Sequence, residues 1–227
     1  MKILILSDGH GNLSALDRLK PAAKNADMVL YAGDFAECFK PETGLPFLER
    51  LASLHDDIFA VLGNCDEPDF IGKLDEYDMR LESTLSSFNG LVLTGSGGGA
   101  KFTGKTPNER TDEELAGDLR LVSENSGEDN QWHNLVIVTH NPPKDTSLDR
   151  ISTGTHVGSP LIREFIETYQ PLLAVSGHIH ESAATDTIGR TVLVNPGPLD
   201  EGRYAIAEAV CNADNRFTIM SVELKEF

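Results

Sequence analysis

Little in the sequence suits a secreted, membrane-spanning or polyanion-binding protein. Its three cysteines, Cys38, Cys65 and Cys211, are odd in number and unevenly spaced, so they offer neither a disulfide framework nor a zinc ribbon. That usage points to a reducing, cytoplasmic setting. No apolar run approaches the ~20 residues a membrane helix needs. The opening run of residues 1–6 meets Ser7 and Asp8 too soon for a secretory signal. Positive charge is scarce: 19 Lys and Arg stand against 36 Asp and Glu, for a net charge of −17. At long range such a surface repels nucleic acid and anionic lipid, so neither a nucleic-acid polymer nor a membrane is an expected partner. Repeats, linkers and low-complexity tracts are also missing, which leaves one domain over residues 1–227 as the expectation.

What is present is a series of short apolar runs, at 3–6, 28–31, 58–62, 91–93, 135–138, 172–175 and 192–194. Their length and their flanking Gly and Asp residues predict buried strands. Helical patterns lie between several of them. Asn12 is placed to cap a helix through Leu13, Leu16 and Leu19, and residues 46–54 carry Phe47, Leu48 and Leu51 at helical spacing. Thr111 with Glu114 makes a capping box for a helix to about Ser123, and Ser159-Pro160 opens another. Alternating strands and helices indicate an α/β fold. The last stretch, 183–188, 191–194, 204–210 and 217–224, is strand after strand with short turns and reads as an antiparallel run.

The chemistry sits where these strands end, the usual place for ligands in such folds. The first run leads into Asp8-Gly9-His10, the second into Gly33-Asp34, the third into Gly63-Asn64-Cys65-Asp66, the fifth into Thr139-His140 and the sixth into Gly177-His178-Ile179-His180. If the chain stays extended there, alternation turns Asp8 with His10, and His178 with His180, toward a common cavity. Four imidazoles, two carboxylates and an amide exceed the needs of one tetrahedral ion, and a shared carboxylate would let them serve two.

In this order the motifs D-x-H, G-D, G-N-C-D, a strand-end His and G-H-x-H resemble the calcineurin-like metallophosphoesterase family, in its small single-domain branch. The resemblance implies a sandwich of two mixed β-sheets flanked by helices. It also implies that Asp8, His10, Asp34 and His180 hold one divalent ion and Asp34, Asn64, His140 and His178 the other, with Asp34 bridging them. Manganese leads among the metals that such donors suit, followed by iron, zinc and nickel. The implied reaction is hydrolysis of a small soluble phosphate ester, diester or monoester, by a hydroxide shared between the ions. Asn64, His140 and His156 are expected to touch that substrate.

One position departs from the family pattern. The usual histidine after the asparagine, oriented by the following acid as proton donor, is Cys65 here, followed by Asp66. A thiol is a poor donor to a leaving group, which makes His156, in Gly154-Thr155-His156-Val157-Gly158, the alternative proton source. The same departure supports a second functional class, a non-catalytic scaffold with a vestigial metal site. His55 and His133 fall outside the motifs and read as surface or packing residues.

Residues 99–106, Gly-Ala-Lys-Phe-Thr-Gly-Lys-Thr, match the P-loop pattern literally. Pro107 forbids the helix that should begin there, so a nucleoside-triphosphatase reading fails. The stretch is expected to rim the pocket instead, with Lys101 or Lys105 near a phosphate. Asn195-Pro196-Gly197-Pro198 reads as a rigid turn, and the resemblance implies that it packs near the site.

Overall fold

The computed structural model describes residues 1–102, 104–126 and 131–227. In chain order the strands are β1 (Lys2–Leu6), β2 (Met28–Tyr31), β3 (Ile58–Ala60), β4 (Ser86–Phe88), β5 (Leu91–Ser96), β6 (Gly99–Ala100), β7 (Glu109–Arg110), β8 (Leu135–Thr139), β9 (Leu173–Ser176), β10 (Ala184–Ile188), β11 (Thr191–Asn195), β12 (Arg203–Cys211) and β13 (Phe217–Glu226). The helices are α1 (Leu13–Arg18), α2 (Lys20–Lys24), α3 (Gly44–Ala52), α4 (Ile71–Glu76), α5 (Asp112–Gly117), α6 (Arg120–Glu124) and α7 (Pro160–Tyr169).

Two mixed sheets form the expected α/β sandwich. One runs β13-β12-β1-β2-β3 and the other β10-β11-β9-β8-β5-β4. The central strands β1, β2, β8 and β9 are apolar on both faces because both faces are covered. Ile3 and Ile5 alternate inward with Met28 and Leu30 against Val136, Val138 and Val175 of the opposite sheet. Leu4 and Leu6 face out against Leu16, Phe47, Leu48 and Leu51 of α1 and α3. On the far side Leu135, Ile137 and Leu193 pack under Leu115 of α5 and Ile162 and Ile166 of α7. Since β1, β2 and β3 run parallel, as do β5, β8, β9 and β11, the carboxyl ends that carry the motifs gather on one edge of the sandwich.

The caps form as read: Asn12 accepts the Ala15 amide, Thr111 and Glu114 close the capping box, and Ser159 accepts the Ile162 amide. The helix predicted from Thr111 to Ser123 is broken into α5 and α6. Gly117 is a poor helix former, and the next residue, Asp118, is held in an ion pair by Arg110 and accepts the Ser83 hydroxyl. The terminal strands are not one antiparallel run. The β10–β11 hairpin joins the six-stranded sheet, whereas β12 pairs with β1 and carries β13 onto the other. Among the described residues no helix is long and apolar enough to cross a membrane.

Glu82 braces the start of the β3 turn. Its buried carboxylate accepts the Leu62 amide through Oε1, while Oε2 finds no partner among the described residues. Burial lifts its pKa from 4.5 to about 7. The fold thus favours the neutral acid. Its contribution to stability is complete below the unfolded value of 4.5 and is lost as pH rises through about 7. Glu82→Gln, which keeps the acceptor and removes the charge, should raise stability above pH 7 by about 1–3 kcal/mol and flatten its dependence between the two values. Thermal melts of both proteins across that range would show it, and parallel curves would refute it.

Candidate metal centre

Seven side chains from five strand ends converge at this edge. His10 Nε2 lies 3.4 Å from His180 Nε2 and 3.8 Å from Asp34 Oδ2. His180 Nε2 lies 3.5 Å from Asp8 Oδ1, and His140 Nε2 lies 3.6 Å from Asp34 Oδ2. Asn64 Oδ1 stands between His140 Nε2 at 2.9 Å and His178 Nδ1 at 2.7 Å. Ligand bonds of ~2.1 Å put two donors on one ion roughly 3–4 Å apart, so the spacings among Asp8, His10, Asp34, His140 and His180 suit shared cations, while the two at Asn64 are hydrogen-bond contacts. Ligand atoms of Asp8, His10 and His180 lie within 4.8 Å of one another, as do those of Asp8, Asp34 and His140. Asp34 Oδ2 faces His10 of the first group and His140 of the second.

The local backbone achieves this differently from strand alternation. Asp8, His10, Asp34 and His178 have φ values of 55°, 44°, 62° and 67°, all left-handed. These residues lie beyond the strand ends, in tight turns whose strain is compensated by hydrogen bonds. The amides of Gly9 and His10 both donate to the Asp34 carbonyl, and the Asp8 amide donates to that of Gly33. Tyr31, which the sequence reading took as one more apolar strand residue, accepts the Gly9 amide and donates to the Asp34 carbonyl. The turn after β11 packs against the same place. Asn195 donates to the Ile179 carbonyl, and the Leu199 and Asp200 amides donate to the carbonyls of Ser7 and Asp8.

The donor set fits divalent cations. Asp8 and Asp34 are buried, and among the described residues their ion-pair partners are histidines rather than Lys or Arg. Buried carboxylates without a fixed cation are costly. Two imidazoles are oriented for lone-pair donation: His140 Nδ1 sits 2.6 Å from the Ala32 carbonyl and His10 Nδ1 3.3 Å from that of Ala36, which turns Nε2 of each into the cluster. Burial pushes His178 down to about 3, so its ring is neutral. Burial also lowers His180, but the hydrogen bond and charge of Asp8 outweigh it and bring the ring to about 9. Burial alone would raise Asp8, yet His180 and His140 hold it well below the ordinary carboxylate range. Burial keeps Asp34 above that range, since His140 offsets it only in part.

Cys65 requires a correction. It is not a free thiol but is disulfide-bonded to Cys38, so it has no proton to donate. The pairing arises because β2 and β3 are neighbours, which sets the loop after Asp34 beside the loop after Gly63. With Cys38 and Cys65 joined and Cys211 alone free, the odd number and uneven spacing of the cysteines no longer argue for a reducing compartment. Closing a loop across 27 residues should stabilise the fold by about 3–4 kcal/mol on chain entropy. The Cys38→Ser/Cys65→Ser double variant is therefore expected to lose most of that in urea unfolding. An unchanged midpoint would count against the bond.

Asp66 has no imidazole to orient. Its buried carboxylate accepts the amides of Asp34 at 3.0 Å, Ala36 at 2.9 Å and Gly63 at 2.7 Å, and so ties the second and third motifs together. Burial and the Asp34 charge raise it to about 6. His156 stands outside the seven-residue cluster, with Nδ1 2.6 Å from Asp149 Oδ1. Asp149 is fully buried and also accepts the amides of Asp145, Thr146 and Gly158. His55 contacts the Ala26 carbonyl and His133 an exposed arginine, as packing and surface residues do.

The P-loop-like stretch also borders the site, although Thr103 lies outside the described residues. Its backbone amides bind the carboxylate of Glu109, a residue the sequence reading missed. The nearest signal was the glycine-lysine pattern itself, which marks amides available to an anion.

The chain resembles known proteins over most of its length. A family model described as calcineurin-like phosphoesterase matches residues 1–182. The uncharacterized protein MJ1162 of Methanocaldococcus jannaschii is 34% identical over 208 residues, covering 87% of this chain and 88% of that one. The crystal structure of TT1561 from Thermus thermophilus superposes with a TM-score of 0.68 at 18% identity, over 99% of this chain and 98% of that one. A putative 5'-nucleotidase from Staphylococcus aureus gives 0.66 at 14% identity, with 99% of this chain covering 54% of that one.

Proposed function

Because the chain belongs to the calcineurin-like phosphoesterase family and is a metal-dependent phosphoesterase, we propose that it hydrolyses small soluble phosphate esters at a dinuclear centre. Asp8, His10, Asp34 and His180 would hold one ion, and Asp34, Asn64, His140 and His178 the other. The observation that carries this reading is Asp34 Oδ2, buried between His10 and His140 at 3.8 and 3.6 Å. When bound, divalent cations supply charge neutralisation for the phosphoryl oxygens and acidify a water for attack. The donors are a mixture of imidazole and oxygen, which manganese suits. Asn64, which borders the adjoining cavity, and His140, buried behind it, would touch the phosphate through the ions they hold.

With the Cys65 thiol consumed, His156 is the imidazole we propose for the leaving-group proton. Its buried partner Asp149 occupies Nδ1 and leaves Nε2 available, and the adjacent Val157 lines the cavity beside Asn64 and His178. His156→Ala is expected to lower kcat by ~10–100-fold for esters with poor leaving groups and to spare p-nitrophenolate, which leaves unprotonated. A kcat unchanged from wild type on both ester types would remove His156 from the mechanism.

The test of the function itself is metal removal. Hydrolysis of bis-p-nitrophenyl phosphate and p-nitrophenyl phosphate should vanish after EDTA treatment and return with Mn²⁺. Inactivity of folded, Mn²⁺-loaded protein on both would favour the scaffold alternative.

A further inference from the structure

A cavity of about 260 Å³ opens beside the metal cluster. Asn64 and His178 border it on the cluster side, and Phe102, Ile151, Val157 and Ile179 supply apolar walls. Phe102 is 88% exposed, an unfavourable place for a phenyl ring in a protein with nothing to cover it.

The ring is nevertheless carried on a fastened loop. Glu109 accepts the amides of Phe102 at 2.9 Å, Gly104 at 2.8 Å, Lys105 at 3.0 Å and Thr106 at 3.2 Å, and the Thr106 hydroxyl at 3.2 Å. Those amide bonds, led by Phe102's, hold the Glu109 carboxyl down at about 2, so it is ionised at any working pH. At the base of the loop the β6–β7 pairing, the Ala100 amide on Asn141 and the Lys101 amide on the Arg110 carbonyl fix its exit from the sheet. The amides that a P-loop would turn to a phosphate are spent on the chain's own carboxylate. The loop therefore presents its side chains, not its backbone, to a ligand.

We propose that this cavity is the subsite for the organic group of the phosphate ester, that the group is a flat aromatic ring seated against Phe102, and that Glu109 is the positioning residue of that wall. The inference rests on the phosphoesterase reading, since the phosphate must sit at the neighbouring ions. The chemistry follows from the walls. A phenyl ring and branched aliphatic side chains on the wall of one cavity offer apolar surface to a planar group, and aromatic pairs gain beyond the area they bury. Because Asn64 and His178 border the same cavity, such a ring would lie beside the metal cluster. Lys101 lines the same cavity and adds a cation where an anionic ester enters.

The experiment is isothermal titration of Mn²⁺-loaded protein with phenylphosphonate and with methylphosphonate, which share the anion and differ in the ring. Wild type is expected to bind the phenyl compound ~10-fold or more tightly than the methyl one. Phe102→Ala and Glu109→Gln should each bring that ratio below about 3, and Phe102→Trp should keep it. Equal affinities in wild type, or a ratio that survives Phe102→Ala, would overturn the aromatic subsite and leave the phosphoesterase reading standing. If neither phosphonate bound, that reading would fall and this inference with it.

Discussion

Replacing Asp34 by asparagine is expected to cut turnover of bis-p-nitrophenyl phosphate by ~10³-fold or more, with the protein still folded. The substitution keeps the shape of the side chain. Oδ1 would still accept the Cys65 amide, now at 2.8 Å, but the negative oxygen between His10 and His140 would become a neutral amide group. One lost charge should weaken both ions at once, because the same atom faces both groups of donors. Metal analysis after dialysis should then find fewer Mn²⁺ per chain than in wild type. Stability should move the other way in the metal-free protein. Burial raises the Asp34 pKa, so the fold bears the cost of an ionised carboxylate that only a cation relieves. Asp34→Asn should accordingly melt at or above the wild-type temperature in EDTA and gain less from Mn²⁺. A variant with wild-type turnover would refute the bridging role, whereas one that failed to fold would show Asp34 to be structural.

Asp34 was legible in the sequence because Gly-Asp directly follows an apolar run, and the same logic located Asp8, Asn64, His140 and His178. Each motif is a polar interruption at the end of a strand that is buried on both faces, and parallel strands collect such ends without further information. The path of the chain after each strand was less legible. Asp8 and His10 share a cavity through left-handed turns rather than extended alternation, and nothing in the residue types marks those φ values except the adjoining glycines. Non-local pairings were hidden for a different reason. The Cys38–Cys65 bond depends on β2 lying next to β3, whereas the Glu109 clamp is local but irregular, reaching back three to seven residues with no periodicity to mark it. The tail shows the same limit. Its strands were visible from composition, but their division between two sheets follows from β12 pairing with β1 across the whole chain.

Two glycine-to-alanine substitutions should change the protein in opposite directions, and the contrast tests how tightly the second and third motifs are packed. At Gly63 an added Cβ would fall on the Asp34 carboxylate and amide nitrogen, inside any tolerable contact. Relief requires moving Asp34 or the Gly63 backbone, and both are fixed: Asp66 holds the amides of each, and Asn108 donates to the Gly63 carbonyl. Gly63→Ala is therefore expected to lose ~100-fold or more in turnover and about 2–4 kcal/mol in stability, because displacing Oδ1 swings the whole Asp34 carboxylate and with it Oδ2, the proposed bridging oxygen. At Gly72, in α4, an added Cβ meets nothing within 4 Å and the backbone is helical. Gly72→Ala should instead stabilise by about 0.4–1 kcal/mol through the unfolded chain and leave turnover untouched. Urea unfolding and steady-state rates on both variants would decide the matter. If Gly63→Ala kept wild-type activity, the backbone there would have room to yield, and the close approach of Asp34 to the Gly63-Asn64 turn would not be what fixes the centre.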